Sequence, residues 1–342
     1  MPELTPEQVG RVGVLMGGDS RERDISLRSG AGIMEALHGR GFDAVSIDPD
    51  ANLVTQLRDA GVQVAFNILH GGKGEDGTIQ GILEMAGIPY TGSGVLASAL
   101  TMNKIQPKRV LQSAGISTPT FYAVDPEEKV GKQCRFAANF LRLPAVCKPA
   151  DEGSSIGVSI VRHMEELAGA VEGLLEKYGS ALVEKYIDGP EVTVGILGSG
   201  ESLRALPVLE LRPSREFYDY EAKYTPGMTE FIIPAQLDEP IYVMTQQTAI
   251  RAHKVLGCHG WSRVDMHVDG DGIPQVHDVN SVPGMTPLSD IPAEAQAAGL
   301  TYEQVVLEIL QSAFDRPRPG QAGVQATAEP ESSDAPPQPE WS

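Results

Sequence analysis

Residues 262–284 read SRVDMHVDGDGIPQVHDVNSVPG. Two alternating runs flank DGDG, a strong turn signal, so the stretch reads as a β-hairpin. Strand side chains alternate in direction, so Arg263 and Asp265 share one face of the first strand, and Asp278 and Asn280 one face of the second. With a loop of residues 269–272, Arg263 lies opposite Asp278 and Asp265 diagonal to it. Cross-strand diagonals span roughly 7–8 Å, near enough for two carboxylates and an amide oxygen to surround cations. Hard oxygen ligands of this kind suit Mg²⁺ and nucleotide phosphates. The alternative is a solvated hairpin face with an Arg–Asp cross-strand pair, since acids on exposed strands are common. A Pro-Gly turn then ends the strand.

The surrounding chain sets limits. Its 342 residues suit two or three domains. No apolar run approaches the roughly 20 residues that span a bilayer, and MPELTPEQVG lacks the regions of a signal peptide. Cys134, Cys147 and Cys258 are widely spaced with no CxxC pair, which argues for a reducing compartment, the cytoplasm, and against a disulfide framework or zinc site. A net charge of −19 disfavours a general nucleic-acid or anionic-membrane binder. It does not disfavour a small anionic ligand held by a few placed cations.

Working outward, RVGVLMGG and VAFNILHGG read as buried strands, and DSRERDISLRSGAGIMEALHGRG and TIQGILEMAG as helices. This β/α alternation predicts a parallel, doubly wound N-terminal domain. From Lys104 the rhythm changes to strands LPAVCKP, SIGVSIV and ALVEKYI with the helix EELAGAVEGLLEKYG between them, and from Gly189 to EVTVGILG, ALPVLEL and the hairpin. The expected division is residues 1–103, 104–188 and 189–316, α/β first and α+β thereafter. Residues 317–342 are rich in Pro, Ser, Gln and Glu and are expected to be disordered.

Four further stretches carry possible chemistry. In CKPADEGSSIGVS a strand delivers Lys148 into a Gly/Ser loop, which can offer N–H groups and charge to phosphates or can be a plain hairpin loop. ALVEKYIDGPEVTVGIL sets Glu184 and Glu191 on either side of Gly189-Pro190, able to accept bonds from adenine or ribose or merely exposed. Glu22 stands three residues after Asp19, a capping-box spacing. It could instead face an ammonium at the carboxyl end of the sheet. His70 opens the glycine-rich turn HGGKGEDGTIQG and could be catalytic or structural, with the structural reading favoured.

Taken together, GGDSRERDISL, LHGGKGEDGTIQG, YTGSGVLASALTMNK, KPADEGSSIGVS, EKYIDGPEVTV, FYDYEAKY, GWSRVDM and DVNSVPGMTPLSDIP resemble the D-alanine–D-alanine ligases of the ATP-grasp superfamily, in the family's order from about residue 11 to 312. The resemblance implies a three-domain ATP-grasp fold, ATP as co-substrate, two Mg²⁺ or Mn²⁺ ions, two molecules of D-alanine and a homodimer. It would place Asp265, Asp278 and Asn280 on the metals, and Arg263 with the Gly284 N–H on the oxyanion of the tetrahedral intermediate. Lys104 and Lys148 would meet the phosphates, Glu184 and Glu191 the adenine and ribose. Glu22 would meet the first D-alanine's ammonium and Ser289 the second one's carboxylate. Lys223 would reach the γ-phosphate from a mobile loop that Tyr224 latches through Ser154 and Glu22.

Two positions depart from the family pattern. Asp278 stands where Glu is usual, shortening the reach by about 1.5 Å. Asp290 replaces a common Leu beside Ser289, where a carboxylate would disfavour an incoming carboxylate unless it points to water. These leave room for a paralogue with another second substrate, or for a nucleotide-binding protein without turnover.

Overall fold

The computed structural model describes residues 4–153, 156–213 and 227–316. Three sheets follow one another along the chain. The first is parallel, with β1 (Val12–Leu15) between β2 (Ala44–Ile47) and β3 (Val64–Asn67). Strands β1 and β3 are buried at every position, which fits a parallel sheet covered on both faces. The helix Arg23–Gly39 returns from β1 with Ile25, Ser29, Ile33, Ala36 and Leu37 buried, one stripe at helical spacing.

The second sheet runs β4 (Phe121–Ala123), β7 (Leu182–Lys185), β5 (Ala145–Lys148), β6 (Ser159–Val161), all antiparallel. Helices Val130–Leu141 and Met164–Tyr178 cover it, and together they enclose a core from Val124 to Val183. The third sheet runs β11 (Thr229–Ile232), β10 (Leu209–Pro213), β8 (Glu191–Gly198), β12 (Gly260–Val268), β13 (Pro274–Asn280), with β9 (Arg204–Ala205) paired to β8. Its helix Glu239–Val255 buries Ala249 and Ala252 against Val192, Val264 and Val279.

Cores do not follow the sheets one to one. Leu111 and Ile116, in and just after the helix Gln106–Ser113, join the core of the third sheet. The last helix, Tyr302–Asp315, places Val305, Ile309 and Leu310 in a core shared with Val14 and Phe66 of the first sheet and Trp261 of the third. This helix thus seats the carboxyl end of β1 beside the β12–β13 hairpin.

Candidate active site

The hairpin's register differs from the sequence expectation. Arg263 lies opposite Asn280 and Asp265 opposite Asp278, so Arg263 does not face Asp278. The turn is one residue longer than expected, with Val268 paired to Pro274 and the Asp269 N–H donating to the Ile273 carbonyl at 3.1 Å. A bulge between Asp265 and Met266 adds a second shift by leaving His277 as an extra residue. Either shift alone would turn Asp278 to the other face; together they restore the alternation. Arg263, Asp265, Asp278 and Asn280 therefore share one face.

On that face Arg263 makes a two-pronged bond to Asp265, Nε to Oδ1 at 2.8 Å and Nη2 to Oδ2 at 2.7 Å. Its Nη1 lies 3.1 Å from Asp290 Oδ2. Asp290 is buried and faces the guanidinium rather than water, so its charge is offset where the sequence reading foresaw repulsion. Behind it Glu294 Oε2 accepts the Gly195 N–H at 2.6 Å. Burial, then Asp290, pushes the Glu294 carboxyl well above the usual range. Glycine at 195 suits this contact, since a Cβ there would sit 2.4 Å from Glu294 Oε2 and would force a side chain to shift.

The N-terminal sheet supplies an acidic wall. Asp19 pairs with Lys73 at 2.6 Å on the surface, and Glu22 occupies the cap position of its helix without a side-chain cap bond. The capping-box reading is excluded. The Glu22 carboxylate lies against two backbone turns, where a Cβ on Gly71 or Gly153 would come within 2.8 Å of Oε2. Beside it stand two further residues. His70, for which the sequence left a catalytic and a structural role open, lines the same pocket, and burial lowers its pKa. Glu75, pushed up to about 8 by burial and then by the Glu22 charge, accepts the Gly71 N–H at 2.8 Å. Both lie in HGGKGEDG, whose glycines signalled a turn but not the direction of its acids.

The cations come from the central sheet and from the segment that precedes it. Glu184 is held between Lys108 and Lys148, each at 2.8 Å, with all three side chains at most 6% exposed. Burial alone would raise the Glu184 pKa, but the two lysines outweigh it and hold the carboxyl below its usual range. Burial lowers Lys108 to about 8 despite Glu184. Lys108 went unnoticed because helical spacing marks it only as an inward position on an amphipathic helix. The Glu184 carboxylate is turned to these lysines, and Glu191 also lines the cleft. Lys104 donates to the Glu152 carbonyl from the start of the loop between β5 and β6.

These groups surround two adjoining cavities. A narrow pocket of about 70 Å³ is lined by Glu22, His70, Glu75, Arg263, Asn280 and Gly284. A cleft of about 640 Å³ between the second and third sheets is lined by Lys148, Glu184, Glu191 and Asp265. Lys104 and Asp278 line both and mark where they meet. Gly284 leaves room for close approach, since a Cβ there would sit 2.8 Å from Ser289 Oγ. That hydroxyl is engaged by Thr286, at 3.0 Å from its N–H and 2.9 Å from its Oγ1. Ser154, Lys223 and Tyr224, like the tail 317–342, lie outside the described residues.

The donor set at the seam fits a hard cation. Asp265, Asp278 and the Asn280 amide oxygen are the ligand types that Mg²⁺ takes, with no sulfur or imidazole among them. Asp265 is the least free of the three, because Thr193 also donates to its Oδ1 at 2.6 Å.

Known proteins are similar to this chain in sequence and fold. The family models described as D-ala D-ala ligase N-terminus and C-terminus match residues 48–93 and 110–311. The D-alanine–D-alanine ligase of Moorella thermoacetica is 46% identical over 308 residues, 89% of this chain and 99% of that protein. The crystal structure of the Bacillus anthracis D-alanine–D-alanine ligase complexed with ATP superposes with a TM-score of 0.77 at 32% identity, covering 89% of this chain and 97% of that one. The VanG D-Ala:D-Ser ligase of Enterococcus faecalis gives 0.76 at 30% identity, covering 90% and 100%. No helix among the described residues is long and apolar enough to cross a membrane. On these matches, over nearly the full length of its relatives, the chain belongs to the D-alanine–D-alanine ligase family.

Proposed function

We propose that the two cavities divide the substrates of one reaction, with the phosphoryl group of ATP transferred where they meet. The protein is an ATP-dependent ligase that forms D-alanyl-D-alanine, a peptidoglycan precursor. The observation that carries the assignment of residues is the seam itself: Lys104 and Asp278 belong to both the pocket and the cleft.

ATP lies in the cleft, its phosphates toward Lys104 and Lys148. Glu22 faces the ammonium of the first D-alanine in the pocket. That substrate's carboxylate attacks the γ-phosphorus, ADP leaves and a D-alanyl phosphate results. The amine of the second D-alanine then attacks the acyl carbon, and phosphate departs from a tetrahedral intermediate. Arg263 and the Gly284 N–H face the oxygen that turns negative, the largest contribution such a site makes to rate. Asp265, Asp278 and Asn280 would hold the Mg²⁺ ions, which neutralise phosphate charge when bound. Ser289 meets the second carboxylate once its hydroxyl leaves Thr286. Lys223, Tyr224 and Ser154 complete the closure over the acyl phosphate, and Glu191 takes the nucleoside. The three sheets support a division into three with a boundary at 188/189, whereas the helix after 103/104 packs Leu111 into the core of the third sheet; the reaction belongs in the cytoplasm, where the nucleotide is made.

The test is ADP release by purified protein with Mg-ATP and a panel of D- and L-amino acids, with products identified by mass. D-Alanine alone should suffice and yield D-alanyl-D-alanine. Turnover only with another amine would assign a paralogue with a different acceptor. ATP binding without release for any member would leave a nucleotide-binding protein.

A further inference from the structure

Two histidines on the cleft wall have no part in that reaction, and they stand beside Glu191. His267 of β12 stands directly across from Glu191 of β8, and the bulge places His277 of β13 beside it, the two rings 4.9 Å apart and tilted by 31°. One ligand atom from each of Glu191, His267 and His277 lies within 4.8 Å of the other two. His267 Nδ1 and His277 Nε2 are shut off from water and have no hydrogen-bond partner among the described residues. Leaving a buried polar atom unmatched is costly. A neutral imidazole offers the lone pair of one ring nitrogen to an ion.

We propose that Glu191, His267 and His277 form a site for a divalent ion of intermediate softness, Zn²⁺ or Co²⁺, chemically distinct from the hard-oxygen set at Asp265, Asp278 and Asn280. Two imidazoles and one carboxylate select such ions, whereas Mg²⁺ prefers oxygen alone. Bonds of about 2.0–2.1 Å in a tetrahedral site put donors about 3.3 Å apart. The three side chains close to that spacing by shifts of about an ångström, and water takes the fourth position. All three residues line the nucleotide cleft, so ion and ATP exclude one another and the ion inhibits by occupying the cleft. This competition rests on the nucleotide reading of the cleft; the metal site does not.

The experiment is titration of metal-free, full-length protein with Co²⁺ in excess Mg²⁺, followed by visible absorption, which is strong for four-coordinate Co²⁺ and faint for the hydrated ion. About one equivalent should bind. His277→Leu and His267→Met should each weaken binding about tenfold or more, Asp265→Asn should change it less than about twofold, and Mg-ATP should raise the apparent Kd in proportion to its concentration. Each variant is checked for a cooperative melt, and the two histidine positions are independent, so misfolding of one leaves the other as the test. Absence of saturable binding, or unchanged affinity in the folded histidine variants, overturns the proposal. Binding through the histidines that Mg-ATP does not alter keeps the metal site and overturns the competition.

Discussion

Two charged clusters flank the cavities, and they combine cations and carboxylates in opposite proportion. Beside the central sheet two lysines, Lys108 of the helix Gln106–Ser113 and Lys148 of β5, share one Glu184. On the hairpin one Arg263 is shared by Asp265 and Asp290, with Asp278 alongside. The first has an excess of one positive charge and is locked in a dry interior. The second has an excess of two negative charges and opens onto the cavities. A magnesium nucleotide needs both, since its phosphates are anionic and its ions cationic. The difference shows that each cluster is incomplete until the substrate bridges them.

That contrast can be broken in order of effect. Glu184→Gln should cost about 3–5 kcal/mol of unfolding free energy, because two buried ammonium groups lose their counter-charge. Urea denaturation checks it, and a loss below about 1 kcal/mol would mean that the lysines reach water. Arg263→Met should lower kcat on the order of 10²–10³-fold while the protein stays folded; a change confined to KM would restrict the guanidinium to holding its aspartates.

Glu75 tests the acidic wall by pH. Its carboxyl is raised from 4.5 to about 8 in the folded protein, so the folded state holds a proton there that the unfolded state has lost. The associated stability is full below about 4.5 and declines as pH rises to about 8, by up to about 1.4 kcal/mol per pH unit. Glu75→Gln should flatten the pH dependence of the thermal midpoint across that window; an unchanged slope would mean that Glu75 is ionised. The smallest effects belong to the two departures from the family pattern. Asp290→Asn should alter the acceptor KM less than about tenfold, since Arg263 already offsets that charge. Asp278→Glu should keep or raise turnover, and a large loss would show a site adapted to the shorter acid.

Much of this was legible in the sequence, for reasons that also explain the rest. The alternation of RVGVLMGG with helical spacing at Ile25, Ile33 and Leu37 is a local pattern, and it gave the parallel sheet. The residues that share one face of the hairpin were identifiable because DGDG marks a turn between alternating runs. Their pairing was not, since neither the length of the turn nor the bulge at His277 leaves a periodic trace. Glu22 illustrates the same limit: its spacing from Asp19 suits a cap, and only the fold shows Asp19 occupied by Lys73 instead. Lys108 and Glu75 owe their properties to burial, which no spacing reports.

The last helix has a consequence for anyone who would recombine these enzymes. Because Tyr302–Asp315 threads one core through the first and third sheets, a gene fragment ending at residue 103 would carry half of a torn interior. The central sheet keeps its own core between Val124 and Val183. It is the segment that can be traded between relatives as a cassette, and the cuts for such chimeras fall near residues 120 and 186.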